Sequence, residues 1–107
     1  MNLTKDSEKL ICLLYKDYLE KRKSGLPKSK ANSFGSSHNI HENLCPDWIF
    51  EDVDDTCREL SRAGLLHCFW ADNIAYNVNI SDSGIIYMEN RFKNGLLGVA
   101  DFLSKFL

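Results

Sequence analysis

The chain has only two prolines, no run of eighteen apolar residues, and no apolar stretch behind its opening Met1-Asn2-Leu3-Thr4-Lys5-Asp6. A membrane-spanning helix needs about 20 apolar residues in succession and a secretory leader needs an apolar h-region, so neither is expected and the location expected is cytoplasmic. Cys-x-x-Cys pairs, Gly-rich phosphate loops and Ser-His-Asp patterns are also missing. Nothing therefore points to redox, nucleotide-cleaving or acyl-transfer chemistry, and the expectation is a protein that is not an enzyme and carries no cofactor. The four cysteines, Cys12, Cys45, Cys57 and Cys68, then read as reduced core residues rather than a disulfide framework.

Positive charge is scarce in the middle of the chain. Residues 46–80 hold two Lys or Arg against seven Asp or Glu, whereas residues 1–45 hold eight against five and residues 81–107 three against three. The 107 residues, 44% of them apolar, suffice for one core and not for two.

Thr4 is placed to cap a first helix, with Asp6 and Glu8 in its opening turn and Lys21, Arg22 and Lys23 at its negative pole before Gly25. Leu10, Ile11, Leu14, Tyr15, Tyr18 and Leu19 fall on one face of it. Pro27 suits the first turn of a short helix reaching about Phe34, with Ala31 and Phe34 inward. The polar Gly35–Leu44 segment shows no sustained period and reads as a loop with room for a turn of helix. Pro46 then opens a third helix in which Ile49, Phe50, Val53, Cys57 and Leu60 recur at spacings of three and four. Its other side carries Asp47, Glu51, Asp52, Asp54, Asp55 and Glu59 beside Arg58 and Arg62.

Beyond Gly64, residues 65–70 read as a strand and Ile74–Ile80 as a second one with strict apolar–polar alternation, a hairpin with one buried face. A two-residue loop at Asp72-Asn73 turns Leu65, His67 and Phe69 inward with Tyr76, Val78 and Ile80, and a three-residue loop turns Leu66, Cys68 and Trp70 inward there instead. The second is preferred, because it buries Cys68 and frees His67. Ser81 caps a last helix running towards Leu107, where Ile85, Met88, Phe92, Leu96, Val99, Leu103 and Phe106 form a seam close to the 3.5-residue repeat. Gly95 and Gly98 weaken its middle by up to ~1 kcal/mol each relative to Ala, which sets a potential break near Asn94-Gly95.

The order helix, short helix, longer helix, hairpin, helix, with Leu60-Ser61-Arg62-Ala63-Gly64-Leu65-Leu66 leading into the hairpin and Ile80-Ser81-Asp82-Ser83-Gly84-Ile85-Ile86-Tyr87-Met88-Glu89 following it, resembles a winged-helix domain. It is similar to the YjcQ-like group of small bacterial and phage proteins over about residues 5–92. The resemblance implies an α+β fold, mainly α, with three helices, a β-hairpin wing and a C-terminal helix. It divides the chain into a winged-helix domain over 1–91 and a helical extension over 92–107. It also implies a transcriptional regulator whose recognition helix is Pro46–Arg62 and which contacts double-stranded DNA. The candidate DNA contacts are Lys21, Arg22, Lys23, Lys28, Lys30, Arg58 and Arg62.

Six carboxylates on that helix oppose the usual use of a recognition helix, since DNA affinity comes largely from neutralising phosphates. The alternative is a non-enzymatic protein-interaction module, or an acidic DNA mimic, that takes a basic protein partner. In either reading no upstream face remains to cover the last seam. Phe92, Leu96, Val99, Leu103 and Phe106 are accordingly expected to form a homodimer interface, ahead of packing back on their own domain.

Three clusters invite chemistry and have plainer readings. His38, His41 and Cys45 match no structural-zinc spacing and read as loop residues, so no metal is expected. His67 and Cys68 are adjacent on a strand and point to opposite faces, which prevents a dyad. Asp52, Asp54 and Asp55 diverge around a helix and read as a solvated face.

Overall fold

A computed structural model of the chain describes residues 1–106, and Leu107, towards which the last helix is expected to run, lies outside them. The first helix, α1 (Lys5–Lys23), begins where the Thr4 side chain accepts the Ser7 N–H at 3.1 Å. It ends at Gly25, whose φ of +102° lets the Gly25 and Leu26 amides turn back onto the Arg22 and Lys21 carbonyls. Leu10, Ile11, Leu14, Tyr15 and Tyr18 are buried along it, as the spacing predicts.

The next stretch departs from expectation twice. The short helix α2 (Lys28–Ala31) stops before Phe34, and Ser33–Gly35 forms a strand, β1, in which Phe34 is buried. The cause is tertiary: Ser33 and Gly35 pair with the far end of the hairpin, and the Ile80 amide donates to the Asn32 carbonyl at 3.0 Å. The polar segment expected to be a loop is a helix, α3 (Ser37–Leu44), capped by the Ser36 hydroxyl accepting from the Asn39 amide at 3.2 Å. Ser37 and Ile40 are its only buried residues.

The acidic helix, α4 (Phe50–Arg62), starts later than Pro46, because Pro46-Asp47-Trp48 form a turn and Ile49 is the N-cap. Ile49 is therefore no core residue and is 66% exposed, whereas Val53, Cys57 and Leu60 are fully buried. Gly64, at φ +80°, closes α4 with the Gly64 amide on the Ser61 carbonyl and the Leu65 amide on the Leu60 carbonyl.

Strands β2 (Leu66–Ala71) and β3 (Ile74–Ile80) meet at a two-residue turn in which Asp72 and Asn73 both have positive φ. The preferred inward set is found with the other loop. Leu66 pairs with Ile80 and Cys68 with Val78, but between Phe69 and Trp70 the register shifts, leaving Tyr76 as an extra residue on β3. The bulge reverses the facing on one side of itself, so a short turn coexists with an outward Phe69 and Tyr76, 63% and 57% exposed. The sheet is antiparallel in the order β1-β3-β2.

The single last helix is two, α5 (Asp82–Arg91) and α6 (Leu96–Ser104), separated around Gly95 at φ +61°. The break lets α6 fold back against α1. Val99 is fully buried in the chain's own core, and Leu96, Leu103 and Phe92 pack against that core, so an upstream face for the seam does exist. The chain is an α+β fold, 59% helical, with a small three-stranded antiparallel sheet.

Candidate functional site

The charged residues singled out by the sequence fall on two surfaces. The first is the outer side of α4. Of the six carboxylates on α4 and the turn before it, two are used inside the fold: Asp54, only 6% exposed, accepts from the Ser37 hydroxyl at 2.9 Å and the Ala75 amide at 2.8 Å. Glu59 accepts from Thr4 Oγ1 at 2.9 Å and from Ser7 Oγ at 3.3 Å, fixing the start of α1. Asp47, Glu51, Asp52 and Asp55 remain exposed and have no ion-pair partner among the described residues. Ile49 and the Phe50 ring, stacked on His38 at 4.0 Å, lie at the same end of the helix.

Arg58 is the base that would offset this charge, and it is held elsewhere. Its guanidinium lies 4.2 Å from the centroid of the Trp70 ring, donates to the Asn73 carbonyl at 2.7 Å and pairs with Asp54 at 3.3 Å. These bonds tie helix to hairpin turn, so Arg58 is not presented as a free cation. Arg62 is exposed near the helix end.

The second surface is the corner made by the end of α1 and by α2. Arg22, Lys23, Lys28 and Lys30 are exposed there, and from Lys21 to His41 the chain contains no Asp or Glu. Lys21 is half-buried in structural bonds: its Nζ lies 2.8 Å from Asp17 and 2.9 Å from the Ser33 carbonyl, over the Phe34 ring. Arg22 donates to the Leu26 carbonyl at 3.2 Å. An open cleft of about 390 Å³ borders this corner, lined by Asp17, Lys21, Ser33, Asn39 and Asn43 together with the apolar Phe34, Ile40 and Leu44.

The proposed DNA-contacting set is thus divided. Lys23, Lys28 and Lys30 stand free of ion pairs among the described residues, as does Arg62, while Lys21 and Arg58 serve the fold. Sequence reasoning missed the burial of Asp54 and the Trp70 seat of Arg58. The available signal was that Asp54 lies three residues before the core Cys57, on the flank of the apolar face.

Burial pushes the Cys12 thiol up to about 12 and those of Cys45 and Cys68 to about 11, and raises Cys57 further, so all four are protonated near neutral pH. His41 Nε2 is bonded to the Trp48 carbonyl at 2.7 Å, and the Cys45 thiol points to the Ile40 carbonyl at 3.7 Å. Among the described residues no three His, Cys, Asp or Glu are grouped to hold a metal ion, and no helix is long and apolar enough to cross a membrane. Comparison with protein-family models, with curated proteins and with solved structures gives no match.

Proposed function

We propose that the chain is a winged-helix protein-interaction module whose acidic α4 face docks on a basic protein partner, without catalysis. In this reading β2 and β3 are the wing and α4 is the helix that DNA-binding relatives would insert into the major groove. The observation that carries it is the state of α4 and the turn before it: Asp47, Glu51, Asp52 and Asp55 are exposed without an ion-pair partner among the described residues, while Arg58 is withdrawn onto Trp70. Such a face repels phosphates and attracts Lys and Arg, and Ile49 and Phe50 supply apolar contact beside the charge.

Binding of a Lys/Arg-rich peptide to the intact chain, followed by fluorescence anisotropy over a range of salt concentrations, tests it. The expected result is affinity that falls with salt and is lost in the Glu51→Lys, Asp55→Lys double variant. Retention of affinity in that variant overturns it.

A second reading is favoured by a separate observation, the carboxylate-free stretch from Lys21 to His41 with Lys23, Lys28 and Lys30 exposed. Here a regulator of DNA grips the duplex through the α1–α2 corner. It requires binding to mixed genomic fragments at low salt that is abolished by changing Lys23, Lys28 and Lys30 to Glu. No binding at low salt sinks it.

A further inference from the structure

The two edges of the sheet are finished differently. At the β1 edge the strand is three residues long, contains Gly35, and has the Lys21 ammonium bonded to its Ser33 carbonyl. The β2 edge has no such protection. β2 is bonded to β3 alone, and outside that ladder no backbone hydrogen bond involves Leu66–Ala71 among the described residues. An edge strand carries a row of unpaired N–H and C=O groups, and folded chains blunt such rows with Lys, Pro, bulges or a covering segment. Leu66-His67-Cys68-Phe69-Trp70-Ala71 contains no Lys, Arg, Asp, Glu or Pro, and the bulged residue of the hairpin sits on β3.

We propose that β2 pairs antiparallel with β2 of a second copy of this chain, about a two-fold axis passing at Cys68. Antiparallel pairing must set inward residues against inward ones and outward against outward ones. With Cys68 opposite Cys68 of the second copy, Leu66 faces Trp70 and His67 faces Phe69, which meets that condition along the strand. A slip of one residue would set His67 against Trp70 and break it.

The strand's own composition selects a second copy as the occupant. Self-pairing brings no formal charges together, and the first charged residue beyond the strand, Asp72, falls opposite Gly64 rather than opposite its counterpart. Phe69, exposed to 63% on a sheet face that nothing covers among the described residues, gains the facing His67 ring. A two-fold operation uses each edge once and closes, giving a dimer and not a fibre. The α4 docking face lies outside this contact, so the two proposals stand separately.

Sedimentation of the full chain, paired with amide hydrogen exchange, tests the proposal. The intact chain is expected at twice the monomer mass, with exchange in Leu66–Ala71 slowing about tenfold as concentration rises through the dimerisation range. Phe69→Lys, an exposed position whose substitution sets two ammonium groups beside the axis, is expected to give folded monomers by circular dichroism. Leu97→Lys, on the exposed side of α6, is expected to leave the dimer intact. The proposal is overturned if the intact chain is monomeric at the highest soluble concentration. It is equally overturned if Phe69→Lys remains dimeric, if Leu97→Lys dissociates the dimer, or if concentration leaves exchange in β2 unchanged.

Discussion

The Asp54 carboxylate accepts the backbone N–H of Ala75 at 2.8 Å across 21 residues of sequence, so the helix that carries the acidic face is bonded to the root of the hairpin. The same oxygen accepts from Ser37 on α3, and Arg58 closes the ring by reaching both Asp54 and the Asn73 carbonyl. Three elements are thereby held in one arrangement at this corner. Asp54→Ala leaves a buried amide and a buried hydroxyl without their acceptor, and is expected to cost about 3 kcal/mol. Asp54→Asn keeps the oxygen that accepts from Ser37 and Ala75 but loses the charge and the Arg58 pair, for a smaller cost of about 1 kcal/mol. Urea unfolding of the two variants checks the order, and equal losses would show that charge rather than bonding dominates.

Gly84 is the residue of the α5 entry that tolerates no side chain. A Cβ there would lie 2.3 Å from the Leu65 carbonyl oxygen and 2.9 Å from Ile80 Cγ2. That carbonyl cannot yield cheaply, because it accepts the Ser81 amide at 3.0 Å and sits at the exit of α4. Helix propensity alone favours Ala over Gly by about 1 kcal/mol, so the sign of Gly84→Ala separates the two effects. A net loss of about 2 kcal/mol is expected from overpacking, measured by thermal unfolding. A stabilised variant would mean that the junction repacks.

What could be read in the sequence, and what could not, follows from how much local pattern each element has. The α1 face from Leu10 to Tyr18 repeats over several turns and was legible, and the alternation of Ile74–Ile80 announced a strand with Val78 and Ile80 inward, though the inward place expected for Tyr76 is taken by Ala75. β1 has three residues, too few to show a period, and exists because β3 supplies its partners. In α3 only Ile40 among the apolar residues is buried, which leaves the capping Ser36 as its sole local signal. The two charged surfaces were visible as composition. Their internal division was not, because the burial of Asp54 and the capture of Arg58 by Trp70 depend on a hairpin bulge at Tyr76 that no local residue announces.

Folding α6 back on α1 changes the role of Val99 from an expected contact between chains to a fully buried core residue. Val99→Ala is expected to destabilise the chain by about 2 kcal/mol irrespective of protein concentration. Leu97→Ala, at a position 81% exposed, is expected to stay within about 0.5 kcal/mol. Denaturant midpoints at two well-separated concentrations decide: a Val99→Ala effect seen only at the higher one would return this residue to an interface between chains.

Alkaline sensitivity follows from the thiols. Burial raises Cys45 from the ordinary 9.0 to about 11, with Lys9 opposing weakly, and burial alone raises Cys12 to about 12. Above pH 9 the unfolded chain releases these protons while the folded chain still holds them, so the unfolded state binds fewer and stability falls as pH rises. The contribution is whole below about pH 9 and is lost for Cys45 as the pH approaches 11, at about 1.4 kcal/mol per pH unit for one thiol. Comparing the parent with Cys45→Ala cancels the lysines, tyrosines and other cysteines common to both. The stability difference in favour of the parent is expected to shrink at about that slope between about pH 9 and 10.5, followed by urea unfolding under reducing conditions. A difference that stays flat across this range would place the Cys45 thiol in contact with solvent.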